Sequence, residues 1–382
     1  MNTPFNFRLT KFPNEAEILR HEVREFLSDA LKDIPKETRA ETWYGADENF
    51  SRKVGQKGWI GLNWPKEYGG AGRSSMERYV ILEEMLTAGA PVGAHWISDR
   101  QSGPLIIRYG SKKHQKELLP GILKGESYFC IGMSEPDSGS DLAALRTKAE
   151  KKGNIYLVNG TKLWTSGAHR CQYMIALFKT SQEEDRHGGF SQFIVDLSLP
   201  GVTIRPIIDL AGRHHFNEVI FEDVEVPEDM LIGTEGNGWN QVTAELALER
   251  SGPERFLSHY ILLDNFISEF RYKMSEMGIT SLGKIISELQ TLRMMSFSIA
   301  WMIQEKKSPD VQAAFVKEAG NVFEKKLIET IREMSNLIPF EEWSSSLKSL
   351  FQDATLRIPA NSLRGGTSEI MRGIISKQLG LR

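Results

Sequence analysis

Two polar, glycine-broken segments of the sequence have the residue types that bind a phosphate-bearing ligand with a flat ring system. The first is MSEPDSGSD at 133–141, and the second, GTKLWTSG at 160–167, follows it after a short connection. Turns of this kind offer backbone N–H groups and hydroxyls to phosphate oxygens, as Gly139 and Ser140 would do here. Trp164 supplies a flat apolar surface against which an aromatic ring can pack. Together the two segments predict a dinucleotide ligand that carries a large ring system.

A carboxylate on an apolar helix face, in the segment LALER at 246–250, is a second feature with chemical potential. Three residues form the apolar stripe of that helix: Trp239, Val242 and Leu246. At about 100° per residue, Glu249 falls about 20° from Val242 and points inward. Desolvation on such a face raises the pKa of a carboxylate and strengthens it as a base near neutral pH. Helical spacing alone leaves open the alternative that Glu249 lies at the stripe edge and pairs with Arg250 or Arg255.

The composition favours small molecules or other proteins as partners. The chain has 382 residues, with 47 basic against 50 acidic side chains and a net charge of -3. No long run of one sign indicates nucleic acid or a membrane surface. The N-terminus lacks a signal peptide and the apolar stretch at 296–303 is too short to span a bilayer, so we expect a soluble cytoplasmic protein. Cys130 and Cys171 lack metal-ligand spacing, and we expect reduced thiols and no metal.

The pattern of apolar residues divides the chain into three parts. Helical spacing covers about 14–124, and short β-branched and aromatic runs at about 128–233 predict a small antiparallel sandwich or barrel. Helical spacing returns at 239–375, with an interruption at 277–283. The predicted fold class is therefore multi-domain α+β, with an N-terminal α-helical domain, a middle antiparallel β domain and a C-terminal four-helix-bundle-like domain. The expected domain boundaries are 1–127, 128–237 and 238–382.

The two polar segments resemble the flavin-binding segments of the acyl-CoA dehydrogenase family, and the resemblance runs from about residue 14 to the C-terminus. RGGTSEIMR at 364–372 resembles the terminal signature of that family, in which a glycine–threonine turn opens a helix against the flavin. The resemblance implies the acyl-CoA dehydrogenase fold, with FAD between the β domain and the C-terminal helical domain. It implies flavin contacts for these residues: Met133, Ser134, Gly139, Ser140, Trp164, Ser166, Thr367 and Glu369. Without the family, 364–372 is interpreted as a helix capped by Thr367.

The family also indicates where the base lies that removes the substrate α-proton. In the commoner members a carboxylate directly precedes the Gly–Thr pair, and this chain has Gly365 there. The isovaleryl and long-chain enzymes place a glutamate on an earlier helix in the context Leu-x-x-Glu-Arg, which LALER matches at Glu249. The resemblance thus implies Glu249 as the base and the Gly365 backbone N–H as a donor to the thioester oxygen. On this expectation, Gly365→Glu combined with Glu249→Gly mimics the commoner arrangement. The implied substrate contacts are Ser140, Leu246, Arg250 and Gly366.

Two departures from the family pattern concern how substrate and cofactor are held. Ala247 stands where many relatives carry an aspartate for the pantetheine amide. The family's Arg-x-x-Phe-Gly segment, which reaches the flavin pyrophosphate of a neighbouring subunit, is missing from 269–284, where Arg271 is the nearest candidate.

The interpretation that the resemblance implies is an FAD-dependent acyl-CoA dehydrogenase of fatty acid β-oxidation, with an electron-transfer flavoprotein as acceptor. A homotetramer or heterotetramer is implied as well. Two alternatives stay open. One is a non-catalytic or partner-dependent subunit of a heteromeric acyl-CoA dehydrogenase, which the missing Arg-x-x-Phe-Gly segment favours. The other is a same-fold flavin oxidase.

Overall fold

The computed structural model describes residues 5–8, 10–41, 43–249 and 252–381, without the side chains of residue 37 and of residues 244–249. Its internal contacts group the chain into two units. Unit 1 consists of Met1–Ala46, Arg73–Val92 and Ala247–Arg382, and unit 2 consists of Asp47–Gly72 and Gly93–Leu246. This grouping divides the N-terminal helices between the units, so the expected boundaries of three domains stay a prediction.

The helices follow the regions of 3.6-residue periodicity on both sides of the strands. In chain order they are α1 (Asn14–Ala30), α2 (Lys36–Ala40), α3 (Glu48–Gln56), α4 (Ser75–Thr87), α5 (Gly93–Ile97), α6 (Gly103–Tyr109), α7 (Lys112–Leu123), α8 (Gly238–Glu249), α9 (Tyr260–Phe270), α10 (Glu276–Gln304), α11 (Asp310–Met334), α12 (Ser345–Asn361) and α13 (Ser368–Gln378). A π-helical turn at Ser98–Ser102 joins α5 to α6. None of the helices within the described ranges is long and apolar enough to cross a membrane.

A network of buried charges fixes the packing of α1, α4 and α10 in unit 1. Glu83 accepts from Arg20 at 2.6 Å and from Arg293 at 2.6 Å, and Arg20 also pairs with Glu84. Arg20, Glu83 and Glu84 are all buried. Because a buried charge that loses its partner is costly, the three helices have to meet with these groups in register.

A glycine permits close packing between a loop and a helix in unit 2. A Cβ placed on Gly103 would lie 2.1 Å from ring atoms of Trp64, whose indole is buried. Nearby, Asp99 of the π-helical turn accepts a hydrogen bond from the backbone N–H of Gly61 at 2.7 Å. These contacts hold the helical part of unit 2 in one arrangement.

The strands of unit 2 form one seven-stranded sheet with the order β1-β4-β2-β3-β7-β6, and β5 pairs with β4. They are β1 (Phe129–Gly132), β2 (Lys148–Lys152), β3 (Ile155–Ser166), β4 (Tyr173–Lys179), β5 (Phe190–Asp196), β6 (Val202–Ile208) and β7 (His214–Pro227). Alternation along β3 and β7 buries one face of the sheet. The apolar core of that face includes Tyr156, Val158, Phe178, Phe193, Val219 and Phe221.

The fold class is confirmed, with helices before and after a mainly antiparallel sheet. Two details differ from the sequence expectations. β1 runs parallel to β4, since the chain between them is long enough to form β2 and β3 before it returns beside β1 in the same direction. The helical interruption expected at 277–283 lies earlier, because α10 starts after its N-cap Ser275 and continues through Gly278 and Gly283.

Candidate functional site

The first polar segment is tied to β3 by a buried ion pair between Glu135 and Lys162. The Lys162 ammonium donates to Glu135 Oε1 at 2.8 Å and to the Met133 carbonyl at 3.1 Å. Glu135 also accepts from the backbone N–H groups of Arg146 at 2.6 Å and Thr147 at 3.0 Å. Lys162 is fully buried and Glu135 nearly so. This pair, which our sequence analysis missed, fixes the backbone of Met133 and its neighbour Ser134 against the sheet.

Burial and charge act in opposite directions on this pair. Burial would raise the pKa of Glu135, but the Lys162 ammonium and the backbone donors outweigh it and hold that pKa below its usual range. Burial lowers the pKa of Lys162 to about 8, against the opposing effect of Glu135. Both groups are therefore charged at neutral pH, and the pair is an ion pair there.

Because the pKa of Glu135 is lowered, we predict that the free energy of unfolding depends on pH in the acid range. Its stabilising contribution is complete above the ordinary carboxyl pKa of 4.5 and is lost as the pH falls through the lower native pKa. We expect the difference in unfolding free energy between the wild type and Glu135→Gln to shrink as the pH falls from about 7 to about 3. Urea unfolding at several pH values measures it. A difference that stays constant over this range would contradict the assignment.

Trp164 occupies an unusual backbone conformation at the second polar segment. Its φ is +60°, and 56% of the residue is exposed, although it belongs to a strand of an otherwise well-packed sheet. The pairing between β3 and β7 shifts register between Lys162 and Thr165, and the indole makes an edge contact with Phe216 at 5.9 Å. A bulky residue at positive φ costs about 1–3 kcal/mol, and such strain is concentrated at ligand sites. The sheet thus presents a flat indole surface at Trp164.

Two substitutions of Trp164 separate the effect of backbone strain on stability from the effect of losing the indole ring. Trp164→Val and Trp164→Asn both remove the indole, but asparagine tolerates the left-handed region whereas a β-branched residue does not. We expect the valine variant to be less stable than the asparagine variant by about 1–2 kcal/mol. Urea unfolding of the two purified variants measures the difference. Equal stability would show that Trp164 does not hold this conformation in solution.

The remaining predicted site residues of unit 2 lie in the same two polar segments. Gly139 and Ser140 are exposed, and a Cβ on Gly139 would meet no atom within 4 Å. Ser166 is half-buried at the last position of β3, opposite Phe216 of β7. The Ser134 carbonyl accepts from the Leu163 N–H at 2.8 Å. The structure therefore brings 133–135 and 162–166 together through main-chain and ion-pair contacts.

The predicted residues of unit 1 lie in a turn before α13. Gly365 and Gly366 have φ values of +64° and +95°, which only glycine adopts readily. Thr367 is the N-cap of α13, and its hydroxyl accepts from the Ile370 N–H at 3.4 Å. The pKa of Glu369 lies below its usual range, because its own backbone N–H and the Thr367 hydroxyl donate to its carboxylate.

A side chain at position 365 would displace the guanidinium of Arg255. A Cβ there would lie 2.8 Å from an amino nitrogen of Arg255 and 3.1 Å from its guanidinium carbon. The expectation that Gly365→Glu, with Glu249→Gly, mimics the commoner arrangement stays a prediction. In this structure the variant would have to adopt a left-handed φ and displace the guanidinium of Arg255.

Arg364, which precedes this turn, is anchored in a buried polar cluster. Its guanidinium donates to the Ser258 hydroxyl at 2.8 Å, the Glu254 carbonyl at 2.9 Å and the Glu324 carboxylate at 3.2 Å. Burial raises the pKa of Glu324, although Arg364 opposes the shift. The cluster holds the start of the turn to α11 and to the segment that follows α8.

The residues predicted to act on the substrate from α8 are described only in part. Glu249 is the last residue of α8, but its side chain, the side chain of Leu246 and the whole of Arg250 lie outside the described residues. Earlier on the helix, Val242 is buried and Trp239 packs in the same apolar cluster. The roles of Glu249, Leu246 and Arg250 stay predictions.

The remaining candidate positions are Arg271 and the two cysteines. Arg271 lies exposed at the C-terminal end of α9, with its guanidinium 4.6 Å from the ring of Tyr272. Cys130 is buried and Cys171 half-buried, and both are free thiols. Across the part of the chain that the structure describes, no three His, Cys, Asp or Glu side chains are grouped so as to hold a metal ion.

Comparison with known proteins places these segments in context. The sequence matches the family models for the acyl-CoA dehydrogenase N-terminal domain at residues 13–126 and middle domain at residues 130–224. It is 32% identical to acyl-CoA dehydrogenase FadE29 of Mycobacterium tuberculosis over 95% of both chains. The structure is similar to the Tcur3481-Tcur3483 steroid ACAD, with a TM-score of 0.86, 26% identity and 98% of each chain covered. It is also similar to the ChsE4-ChsE5 complex from Mycobacterium tuberculosis, with a TM-score of 0.82, 29% identity and coverage of 98% of this chain and 99% of that one.

Proposed function

Because the chain belongs to the acyl-CoA dehydrogenase family, we propose that it desaturates an acyl-CoA thioester between Cα and Cβ with Glu249 as the α-proton base. Relatives over its whole length make it an acyl-CoA dehydrogenase, and the family generally depends on FAD. The observation that supports the position of the base is the turn at Gly365. Since position 365 is a glycine and carries no carboxylate, a base has to come from another element, and LALER offers Glu249.

The chain's own residues have separate tasks in this proposal. Glu249 removes the α-proton, and the backbone N–H of Gly365 donates to the thioester oxygen, where negative charge develops as the proton leaves. A single preorganised donor of this kind contributes about 3 kcal/mol to the transition state. FAD, when bound, supplies the acceptor for the hydride that leaves the β-carbon.

The residues present fit a flavin. Trp164 offers an exposed flat ring held outward by a strained backbone, and Gly139 lies in open space in a polar turn. We assign flavin contacts to Met133, Ser134, Ser140 and Ser166 around them. In unit 1 we assign flavin contacts to Thr367 and Glu369. The substrate contacts in the proposal are Ser140, Leu246, Arg250 and Gly366.

The visible spectrum of the purified chain tests this function. A flavin spectrum that bleaches without oxygen on addition of an acyl-CoA, with formation of the enoyl-CoA, supports the proposal. Straight-chain, branched and steroid-type thioesters belong in the panel, since one similar structure is a steroid enzyme. An electron-transfer flavoprotein is the proposed acceptor, and rapid reoxidation by oxygen instead would indicate an oxidase. A flavin-loaded chain that no thioester bleaches would contradict the dehydrogenase proposal.

A second candidate is a partner-dependent subunit of a heteromeric acyl-CoA dehydrogenase. The sequence lacks the Arg-x-x-Phe-Gly segment, Arg271 lies over Tyr272, and two similar structures are named as pairs of chains. Light scattering combined with flavin content separates the candidates. A tetramer with a full complement of FAD supports a homotetramer, and a smaller species poor in FAD supports a heterotetramer with a second chain.

A further inference from the structure

The guanidinium of Arg255 packs against the turn at Gly365. Both amino nitrogens and the central carbon would lie 2.8–3.1 Å from a Cβ at that position, so the flat cation fills the space of a side chain there. Arg255 is 3% exposed, which means that protein and not water surrounds it. At the position where the commoner members of the family carry a carboxylate, this chain has a glycine, and the guanidinium of Arg255 lies beside its backbone.

Two contacts fix Arg255 in this place. Its backbone lies against α11, where a Cβ on Gly320 would lie only 2.3 Å from the Arg255 carbonyl oxygen. Its Nε lies 3.4 Å from Glu254 Oε1, at the end of the guanidinium next to the side-chain stem. The amino nitrogens at the other end are the atoms that face Gly365. These two contacts place the cation beside the turn.

We propose that Arg255 is a positioning residue that holds the Gly365 turn in its left-handed conformation and supplies positive charge to the thioester oxygen bound there, an inference that rests on the proposed function. An opposite charge within about 4–6 Å lowers the pKa of an acid by about 1–3 units. A cation beside the Gly365 N–H thus acidifies the substrate α-proton and helps Glu249 to remove it. It also explains the glycine, because a carboxylate beside Arg255 would form an ion pair and lose basicity.

The α-proton of a 3-thia-acyl-CoA reports this effect without turnover. Its removal on the flavin-loaded enzyme produces a charge-transfer absorbance, and the pH midpoint of that band measures the acidity of the bound ligand. Three variants are compared with the wild type: Arg255→Gln, Arg255→Lys and Glu254→Gln. Arg332→Gln, which removes an exposed guanidinium on α11, is the matched control. Flavin content and thermal midpoint are recorded for each variant.

We expect Arg255→Gln to raise the pH midpoint by about 1 unit or more, and Arg255→Lys to retain most of the wild-type value. Glu254→Gln removes a counter-charge and is expected to shift the midpoint in the opposite direction, which keeps the test decisive if Arg255→Gln does not fold. Unchanged midpoints in the folded variants, or equal shifts for the lysine and glutamine variants, would overturn the role of Arg255. Neither result would contradict the proposed function. A wild-type enzyme that binds FAD but gives no band would overturn the proposed function together with this inference.

Discussion

Replacing Glu249 with glutamine is expected to lower turnover by about 10²- to 10⁴-fold while the flavin content stays unchanged. Glutamine keeps the shape of the side chain but does not accept the α-proton, so the loss falls on the chemical step. Single-turnover bleaching of the flavin by an acyl-CoA measures that step directly. Since Gly365 carries no side chain, no carboxylate at that position replaces the missing base.

Glu245, one turn earlier on the same helix, provides the matched control. Glu245→Gln makes the same chemical change on α8 and is expected to leave the rate of bleaching close to that of the wild type. An active Glu249→Gln enzyme would remove Glu249 from the mechanism. Equal losses in the two variants would indicate that the helix, and not one carboxylate, is sensitive to substitution.

Replacing Lys162 with methionine is expected to destabilise the protein by about 3–5 kcal/mol, because it leaves the Glu135 carboxylate buried without its cation. The side chains have similar lengths, so the change in packing is small compared with the change in charge. The same substitution frees the Met133 carbonyl, which accepts from Lys162 at 3.1 Å. Urea unfolding measures the stability, and we expect a lower flavin content as the segment around Met133 loosens.

A second substitution identifies the charge as the cause. Adding Glu135→Gln to Lys162→Met removes the uncompensated charge and keeps an oxygen for the backbone N–H groups, so we expect it to restore much of the lost stability. Lys151→Met, which breaks an exposed pair with Glu228, is expected to change little. If the double variant is less stable than Lys162→Met, the ion pair is not the source of the effect.

The elements of the fold were predictable because each has a strong local signal. The alternation along β3 predicts that Tyr156 and Val158 face inward, and both are buried. The sequence also predicts the N-cap of α13 at Thr367, because a threonine there precedes a helical pattern. The parallel pairing of β1 with β4 was not predictable. It depends on contacts between segments over 40 residues apart, and short strands do not encode their partners.

The sequence nominates residues for the candidate site, whose roles stay predictions, but it does not show what surrounds them. The alternation that buries Tyr156 and Val158 also points Lys162 inward, so the ion pair with Glu135 had a signal in the sequence. Neither the positive φ of Trp164 nor the guanidinium beside Gly365 had one. Both follow from how distant segments fit together, and that depends on tertiary packing which no local pattern contains.

The charge network around Glu83 also constrains the order in which the chain can fold. Arg20 and Glu83 are synthesised early, because they lie near the N-terminus. Arg293 follows Glu83 after more than 200 residues and after the whole of unit 2. A nascent chain that ends before α10 therefore has α1 and α4 with an incomplete set of partners for their buried acids. Contacts of such long sequence separation slow folding. The charge network around Glu83 is therefore completed only when the last third of the chain has been synthesised.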